Sequence, residues 1–380
     1  MRGSGSGEID MNTVRILHAA DLHLDSPFES HSAGKAALRR SEQRGLLLKL
    51  ALLAEKEHAE IMLLAGDILD SDSAYLDTAE MAEQTLGRLS IPVFISPGNH
   101  DYYSSKSPYA RLNKKPNIHI FQKSAIEYKE FPEQKVRVWG AGFTDRSSPP
   151  LLEGFCHTEK ADFLNIMVIH GEAGVKDSAY NPISESDLQA SGMDYVALGH
   201  NHTFSGLMRA GNTVYAWPGC AEGRGFDETG DKGVIIADIG KENRNLKFLS
   251  LRGRKYEILR IDVSGHASAS KAVSAGLPLH DTTRDICRIV LTGECDVKPD
   301  TAAILRETEG RFFELSVSDK TVLRRDIWEK AGGDTLRGLF LTKMRQKFDA
   351  AETEEEREFV SAAVKYGLAA LDNREEETLI

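Results

Sequence analysis

Five short segments hold the residues able to do chemistry: Asp21 with His23, Asp67 after Gly66, the run Gly98, Asn99, His100 and Asp101, His170 before Gly171, and His200 with His202 after Gly199. Imidazole, carboxylate and amide donors together suit Mn²⁺, Fe²⁺ or Zn²⁺. Ca²⁺ takes oxygen alone, and a structural zinc favours thiolate. In extended chain, residues two apart point to the same side, so Asp21 and His23 can address one ion, and His200 and His202 can do likewise. Glycines beside four of the five segments allow tight turns and close approach. A lone Asp-x-His or Gly-Asp signals little; the whole set in order points to a metal centre.

These residues need elements to position them, and each segment follows an apolar run that reads as a strand: residues 14–20, 61–65, 92–96, 163–170 and 195–199. In open α/β sheets, ligands gather at the carboxyl ends of strands, so the five segments are expected to converge. Helices are predicted over 36–58, with Leu46, Leu47, Leu50 and Leu53 at helical spacing, and over 74–89. Further strands over 135–140 and 233–239 and a hairpin around Ala210, Gly211 and Asn212 predict two sheets packed face to face between helices. Residues 143–160 show no period and read as a long loop.

After Arg254 the pattern becomes strand (256–263), helix, strand (286–291), helix (301–309), strand (312–317), which reads as a separate small α/β domain. From Asp334 the chain is helical and charged. One apolar stripe is expected from Leu336, Leu339, Phe340, Met344 and Phe348, another from Phe359, Ala363, Tyr366 and Leu371. The division is therefore 1–10, a flexible expression leader; 11–254, the domain with the metal centre; 255–325, a small α/β capping domain; and 326–380, a helical C-terminal segment.

The 380 residues suffice for such a division, and 41% apolar with 28% charged residues is ordinary for a globular protein. No apolar run approaches the ~18 to 20 residues that span a bilayer, so no membrane association and a cytoplasmic location are expected. Cys156, Cys220, Cys287 and Cys295 lack metal-binding spacing and read as reduced thiols. The net charge of −11 argues against a surface that attracts nucleic acid everywhere. It leaves DNA open, because two divalent cations would add about four positive charges at the site.

The ordered set Asp-x-His, Gly-Asp, Gly-Asn-His-Asp, His-Gly and Gly-His-x-His resembles the signature of the calcineurin-like metallophosphoesterases. That resemblance implies an α/β double β-sheet sandwich flanked by helices, carrying two divalent ions, with Mn²⁺ the first expectation and Fe²⁺ or Zn²⁺ the others. It implies that Asp21, His23 and His202 hold one ion, that Asn99, His170 and His200 hold the other, and that Asp67 bridges them. His100 would meet the phosphate and leaving group as a non-ligand, oriented by Asp101.

The stretch from Ile16 to Pro27, with Gly66 to Asp70 and Tyr215 to Gly219 followed by Arg224, is similar to the SbcD and YhaO type of DNA-repair exonuclease. This branch implies a Mn-dependent DNA phosphodiesterase, exonuclease or single-strand endonuclease, an SMC-like ATPase partner held by the C-terminal helices, and a homodimer. The alternatives are a two-metal phosphoesterase acting on a nucleotide or other small phosphoester, and a non-enzymatic scaffold with a silent site. Arg224 reads as a substrate-phosphate contact or a surface ion pair. Tyr102 reads as a base-stacking platform, and of Tyr102 and Tyr103 at least one is expected in the core. Asp70 stands where some relatives have histidine and reads as the cap of the next helix.

Overall fold

A computed structural model describes residues 13–377 except 72–74, 113, 159–161 and 333, with side chains described to residue 371. The leader expected over 1–10, Met11, and the ends of the loop expected over 143–160 and of the helix expected from 74 fall outside the described residues. The chain forms two compact units, one ending at Gly253 and one beginning at Arg254.

In the first unit the elements run β1 (Val14–Ala19), α1 (Ala33–Lys56), β2 (Ile61–Leu64), α2 (Leu76–Leu86), β3 (Val93–Ile95), α3 (Tyr109–Leu112), β4 (Ile118–Ile120), β5 (Glu127–Phe131) and β6 (Val136–Ala141). They continue with β7 (Leu164–His170), β8 (Glu172–Ala173), β9 (Pro182–Ile183), α4 (Glu185–Ala190), β10 (Tyr195–Gly199), β11 (Met208–Ala210), β12 (Thr213–Ala216), β13 (Gly233–Ile239) and β14 (Arg244–Ser250). One six-stranded sheet has the order β14-β13-β1-β2-β3-β4, the other β11-β12-β10-β7-β6-β5. In the first, β1 to β4 are parallel; in the second, β12, β10, β7 and β6 are parallel.

The inner faces meet in a core of Ile16, Leu63, Phe94, Val138, Ile166, Val168, Tyr195, Val214 and Ile235. Both sheets are covered outside as well. Leu46, Leu47 and Leu50 of α1 and Leu86 of α2 pack on one, Leu188 of α4 with Leu152 on the other. Strands buried on both faces read as continuous apolar runs, and this is why the sequence shows them so plainly. The double sandwich with flanking helices is thus the α/β class expected.

A buried polar link crosses the inner core among these strands. His18 of β1 lies 3.0 Å through Nδ1 from Tyr195 Oη and 3.0 Å through Nε2 from the Leu198 carbonyl, both on β10. If Tyr195 donates to Nδ1, the ring carries its proton on Nε2 and donates to the carbonyl, so both nitrogens are satisfied.

In the second unit, β15 (Tyr256–Asp262), α5 (Ala269–Gly276), β16 (Ile286–Thr292), β17 (Glu294–Cys295), α6 (Thr301–Glu307), β18 (Glu314–Asp319) and β19 (Val322–Leu323) precede a 3₁₀ turn (Arg325–Lys330), α7 (Leu336–Asp349) and α8 (Glu354–Glu377). β15, β16 and β18 form a parallel sheet with Val273 of α5 and Ile304 of α6 in its core. The C-terminal helices have their own small core of Ile327, Leu341, Val364 and Leu368.

The expected apolar stripes hold in part: Phe340, Met344 and Leu371 pack against this small core, and the Phe348 ring lies 5.3 Å from that of Trp328. The rest is corrected. Leu336 is 67% exposed, Leu339 57%, Phe359 76% and Tyr366 58%, whereas Val360, Val364 and Leu368 make the buried row of α8. Close approach decides the face: the Phe340 ring sits where a Cβ on Gly367 would be, only 2.2 Å from Cζ. Tyr366 is kept outward, its hydroxyl accepting from Lys298 Nζ at 2.8 Å.

Candidate metal centre

All five polar segments leave the carboxyl ends of parallel strands: Asp21 and His23 follow β1, Asp67 follows β2, Asn99 and His100 follow β3, His170 ends β7, and His200 and His202 follow β10. Two sheets therefore deliver donors to one edge of the sandwich. The turns are tight enough to force backbone into the left-handed region at Asp21 (φ 51°), His23 (45°), Asp67 (49°) and His200 (92°). Non-glycine residues there are strained by about 1 to 3 kcal/mol each. Close approach is equally demanding. A Cβ on Gly98 would lie 2.2 Å from Asp67 Oδ1, and one on Gly199 1.8 Å from the Ala65 carbonyl.

The donors fall into two groups sharing Asp67. In one, His23 Nε2 and His202 Nε2 face each other at 3.3 Å, with Asp21 Oδ1 3.9 Å from His202 and Asp67 Oδ2 3.8 Å from His23. In the other, His170 Nε2 lies 3.6 Å from Asp67 Oδ2 and 3.0 Å from Asn99 Oδ1, which is 3.3 Å from His200 Nδ1. Asp21, Asp67 and His170 also bring ligand atoms within 4.8 Å of one another, as do Asp21, His23 and His202.

Whether cations fit can be judged from these atoms. Two imidazole nitrogens facing at 3.3 Å suit an ion between them when both protons sit on Nδ1, and both Nδ1 atoms do face carboxylates. His202 Nδ1 is 2.7 Å from Glu228 Oε1, and His23 Nδ1 is 3.3 Å from Asp70 Oδ1. The latter is too far off axis to make a proper hydrogen bond, leaving a buried nitrogen to settle. His170 Nδ1 lies 2.8 Å from the Ala65 carbonyl, which directs its Nε2 lone pair into the site.

The electrostatics agree. Burial and the charge of Asp67 push the Asp21 carboxyl well above its usual range. Burial would also raise Asp67, but His170, His23 and His100 outweigh it and hold it below. Burial drives His23 down to about 4 and His200 to about 4, so both rings are neutral at pH 7, the form that binds metal. Crowded buried carboxylates beside neutral imidazoles call for positive charge. The residues present fit divalent cations.

His100 is exposed at the lip of the site, its ring edge-on to His23 with centroids 4.8 Å apart. Its backbone N–H donates to Asp67 Oδ1 at 2.9 Å, and its Nδ1 lies 3.1 Å from the Asp70 carbonyl. The expected orientation of His100 by Asp101 is corrected. Asp101 is buried and accepts from the N–H groups of Ile68 (2.6 Å), Leu69 (3.0 Å) and Gly98 (2.8 Å) and from the Tyr109 hydroxyl. It fastens the turn after β2 to the turn after β3, and the Asp70 carbonyl meets the ring instead.

Asp70 does not cap α2 either. That helix begins after Tyr75, while the Asp70 carboxylate accepts from Ser26 Oγ at 2.9 Å and Arg224 at 3.1 Å. Arg224 is partly buried among Asp70, Glu228 and His202. Tyr103 packs against the core under α1, and Tyr102 is half-buried.

Several contributors were not visible in the sequence. Glu228 backs His202, Glu172 Oε2 lies 3.9 Å from His200 Nε2, and buried Asn181 donates to the His170 carbonyl at 2.7 Å. Only the spacing of Arg224 and Glu228, four residues apart, hints at the first. Glu172 opens the two-residue β8 and Asn181 directly precedes the two-residue β9, strands too short to leave a pattern.

A profile of the calcineurin-like phosphoesterases matches residues 14–204. The chain belongs to this family. Membership makes it a metal-dependent phosphoester hydrolase of the two-sheet fold. Among relatives of this phosphoesterase, the uncharacterized metallophosphoesterase YhaO of Bacillus subtilis is 29% identical over 67% of the chain and 64% of YhaO, so the matched region is under two thirds of that protein. The DNA double-strand break repair protein Mre11 of Saccharolobus solfataricus is 25% identical over 74% of the chain and 76% of that protein. The SbcD component of the SbcCD nuclease of Staphylococcus epidermidis is 24% identical over 61% of the chain and 67% of that protein. No helix among the described residues is long and apolar enough to cross a membrane.

Proposed function

We propose that the protein is a Mn²⁺-dependent DNA phosphodiesterase, cutting as an exonuclease, a single-strand endonuclease or both, in company with an SMC-like ATPase. The observation that carries the reading is the convergence of Asp21, His23, Asp67, Asn99, His170, His200 and His202 from five strand ends. Relatives named for DNA double-strand break repair and for a nuclease support DNA as substrate.

In this reading Asp21, His23 and His202 would hold one ion, Asn99, His170 and His200 the other, and Asp67 would serve both. When bound, two divalent cations neutralise the phosphate and lower the pKa of the attacking water. His100 does the proton work opposite. With Nδ1–H donating to the Asp70 carbonyl, the imidazolium form of the ring carries a second proton on Nε2; it gives that proton to the departing alkoxide and is left neutral. Asp101 keeps Gly98 and the turn behind Asp67 in place, and Tyr102 borders the path of the flanking base.

The capping domain over 255–325 would guide the strand. Exposed Leu336, Leu339 and Phe359 of α7 and α8 suit a helical partner, as an ATPase coiled coil would supply. A homodimer belongs to the same proposal.

The test is incubation with Mn²⁺ and, in parallel, linear DNA and a nitrophenyl phosphoester. Shortened or nicked DNA is the expected result. Brisk ester hydrolysis beside untouched DNA would replace this reading with that of a small-phosphoester hydrolase, which the net charge of −11 also suits.

A further inference from the structure

Arg224 is turned into the protein. Its Nη1 donates to Asp70 Oδ1 at 3.1 Å, its Nη2 to Glu228 Oε1 at 2.8 Å, and its backbone N–H to Glu228 Oε2 at 2.7 Å. Each carboxylate it holds stands at the Nδ1 of one histidine: Glu228 at His202, 2.7 Å away, and Asp70 at His23, 3.3 Å away. Those two rings are the pair whose Nε2 atoms face each other at 3.3 Å.

The loop bearing Arg224 is itself anchored. Fully buried Arg39 of α1 donates to Glu222 Oε1 at 2.5 Å and to the Gly223 carbonyl at 3.0 Å. His170 is backed in another way, its Nδ1 facing a neutral carbonyl. His200, in the same half, has a carboxylate only at longer range, Glu172 Oε2 lying 3.9 Å from its Nε2.

We infer that Asp70, Glu228 and Arg224 form one positioning unit for the half of the centre made by Asp21, His23 and His202, and that Arg224 bridges its two carboxylates instead of binding substrate phosphate. The inference rests on the two-ion reading and is independent of whether DNA is the substrate. At His202 the Glu228 carboxylate fixes the tautomer that leaves the lone pair on Nε2, makes that nitrogen more basic and sets the ring plane; at His23 the off-axis charge of Asp70 beside Nδ1 favours the same tautomer. One planar guanidinium joining both carboxylates locks two rings into one arrangement. A lysine, a point charge on a flexible stem, cannot reproduce that fork.

Calorimetric titration of Mn²⁺ into the metal-free full chain tests this. Glu228→Gln and Arg224→Lys are each expected to weaken one of two binding events by about tenfold to a hundredfold and leave the other unchanged. At saturating Mn²⁺, the KM of Arg224→Lys for a nitrophenyl phosphodiester should stay at the wild-type value. Wild-type affinity for both ions in both variants would overturn the inference. So would a tenfold rise in KM with unaltered metal binding, which would make Arg224 a phosphate ligand. Thermal melts check folding, and a variant that melts below the titration temperature is replaced by Asp70→Asn, read in the same way. DNA takes no part, so failure to cut DNA leaves the result standing.

Discussion

At the scale of single residues, the donors divide by what their nitrogens and oxygens already hold. His170 and His202 have Nδ1 directed at an oxygen of the protein, which turns their Nε2 atoms into the centre, while His23 Nδ1 has only the off-axis carboxylate of Asp70 3.3 Å away. His100 is exposed, and its role as proton donor predicts that His100→Ala keeps both ions while kcat falls by about 10² to 10⁴. Metal content measured beside turnover checks this; loss of an ion would make His100 a ligand, and wild-type turnover would remove it from the chemistry. The convergence of the candidate donors was legible because Asp, Asn and His directly follow apolar runs, where a strand must end. Glu228 was not, because it meets a histidine 26 positions earlier in the chain, and no local periodicity encodes such a pairing. Asp70 misled for the opposite reason. An acidic residue shortly before a helix is an ordinary cap, and only the fold brings Arg224 and His23 to it.

At the scale of elements, the link from His18 on β1 to β10 joins the two strands that deliver Asp21 and His200. Burial drives the His18 ring down to about 3 from an ordinary value near 6.5. Between those values the unfolded chain takes up a proton that the folded chain refuses. The contribution of neutral His18 is thus complete above pH 6.5 and is lost as the pH falls toward 3, at about 1.4 kcal/mol per pH unit. Denaturant melts of metal-free protein between pH 7 and pH 4 should show this slope relative to His18→Gln, and parallel curves for the two would refute it. Inner strands were legible because both faces are buried. The edge strands β5 and β14 were not: β5 reads Glu-Tyr-Lys-Glu-Phe, half-exposed and charged, and β14 mixes half-buried Leu246, Phe248 and Leu249 with exposed Asn245, Lys247 and Ser250. Leu336, Leu339, Phe359 and Tyr366 were misplaced in the stripes of α7 and α8 because large side chains are conspicuous in sequence, while glycine decides which ridges meet.

At the scale of the whole molecule, the alternation of strand and helix announced two layers, but not the strand order, since β13 and β14 return to lie beside β1 from far along the chain. Two units with separate cores predict two heat transitions, of which only the first should respond to metal. With one ion at a hundred times its Kd, the stabilisation is about 2.7 kcal/mol, or roughly 5 to 10 °C for a unit of this size. Scanning calorimetry with and without a chelator reads the shift; two transitions moving equally would contradict it. The left-handed turns at Asp21, His23, Asp67 and His200 give that shift a further meaning. Without its cations the first unit is held in a posture its own backbone resists, with carboxylates crowded and nothing to reward them. The empty form would then be the one that quality-control proteases reach first, and the number of copies surviving in a cell would track the supply of metal.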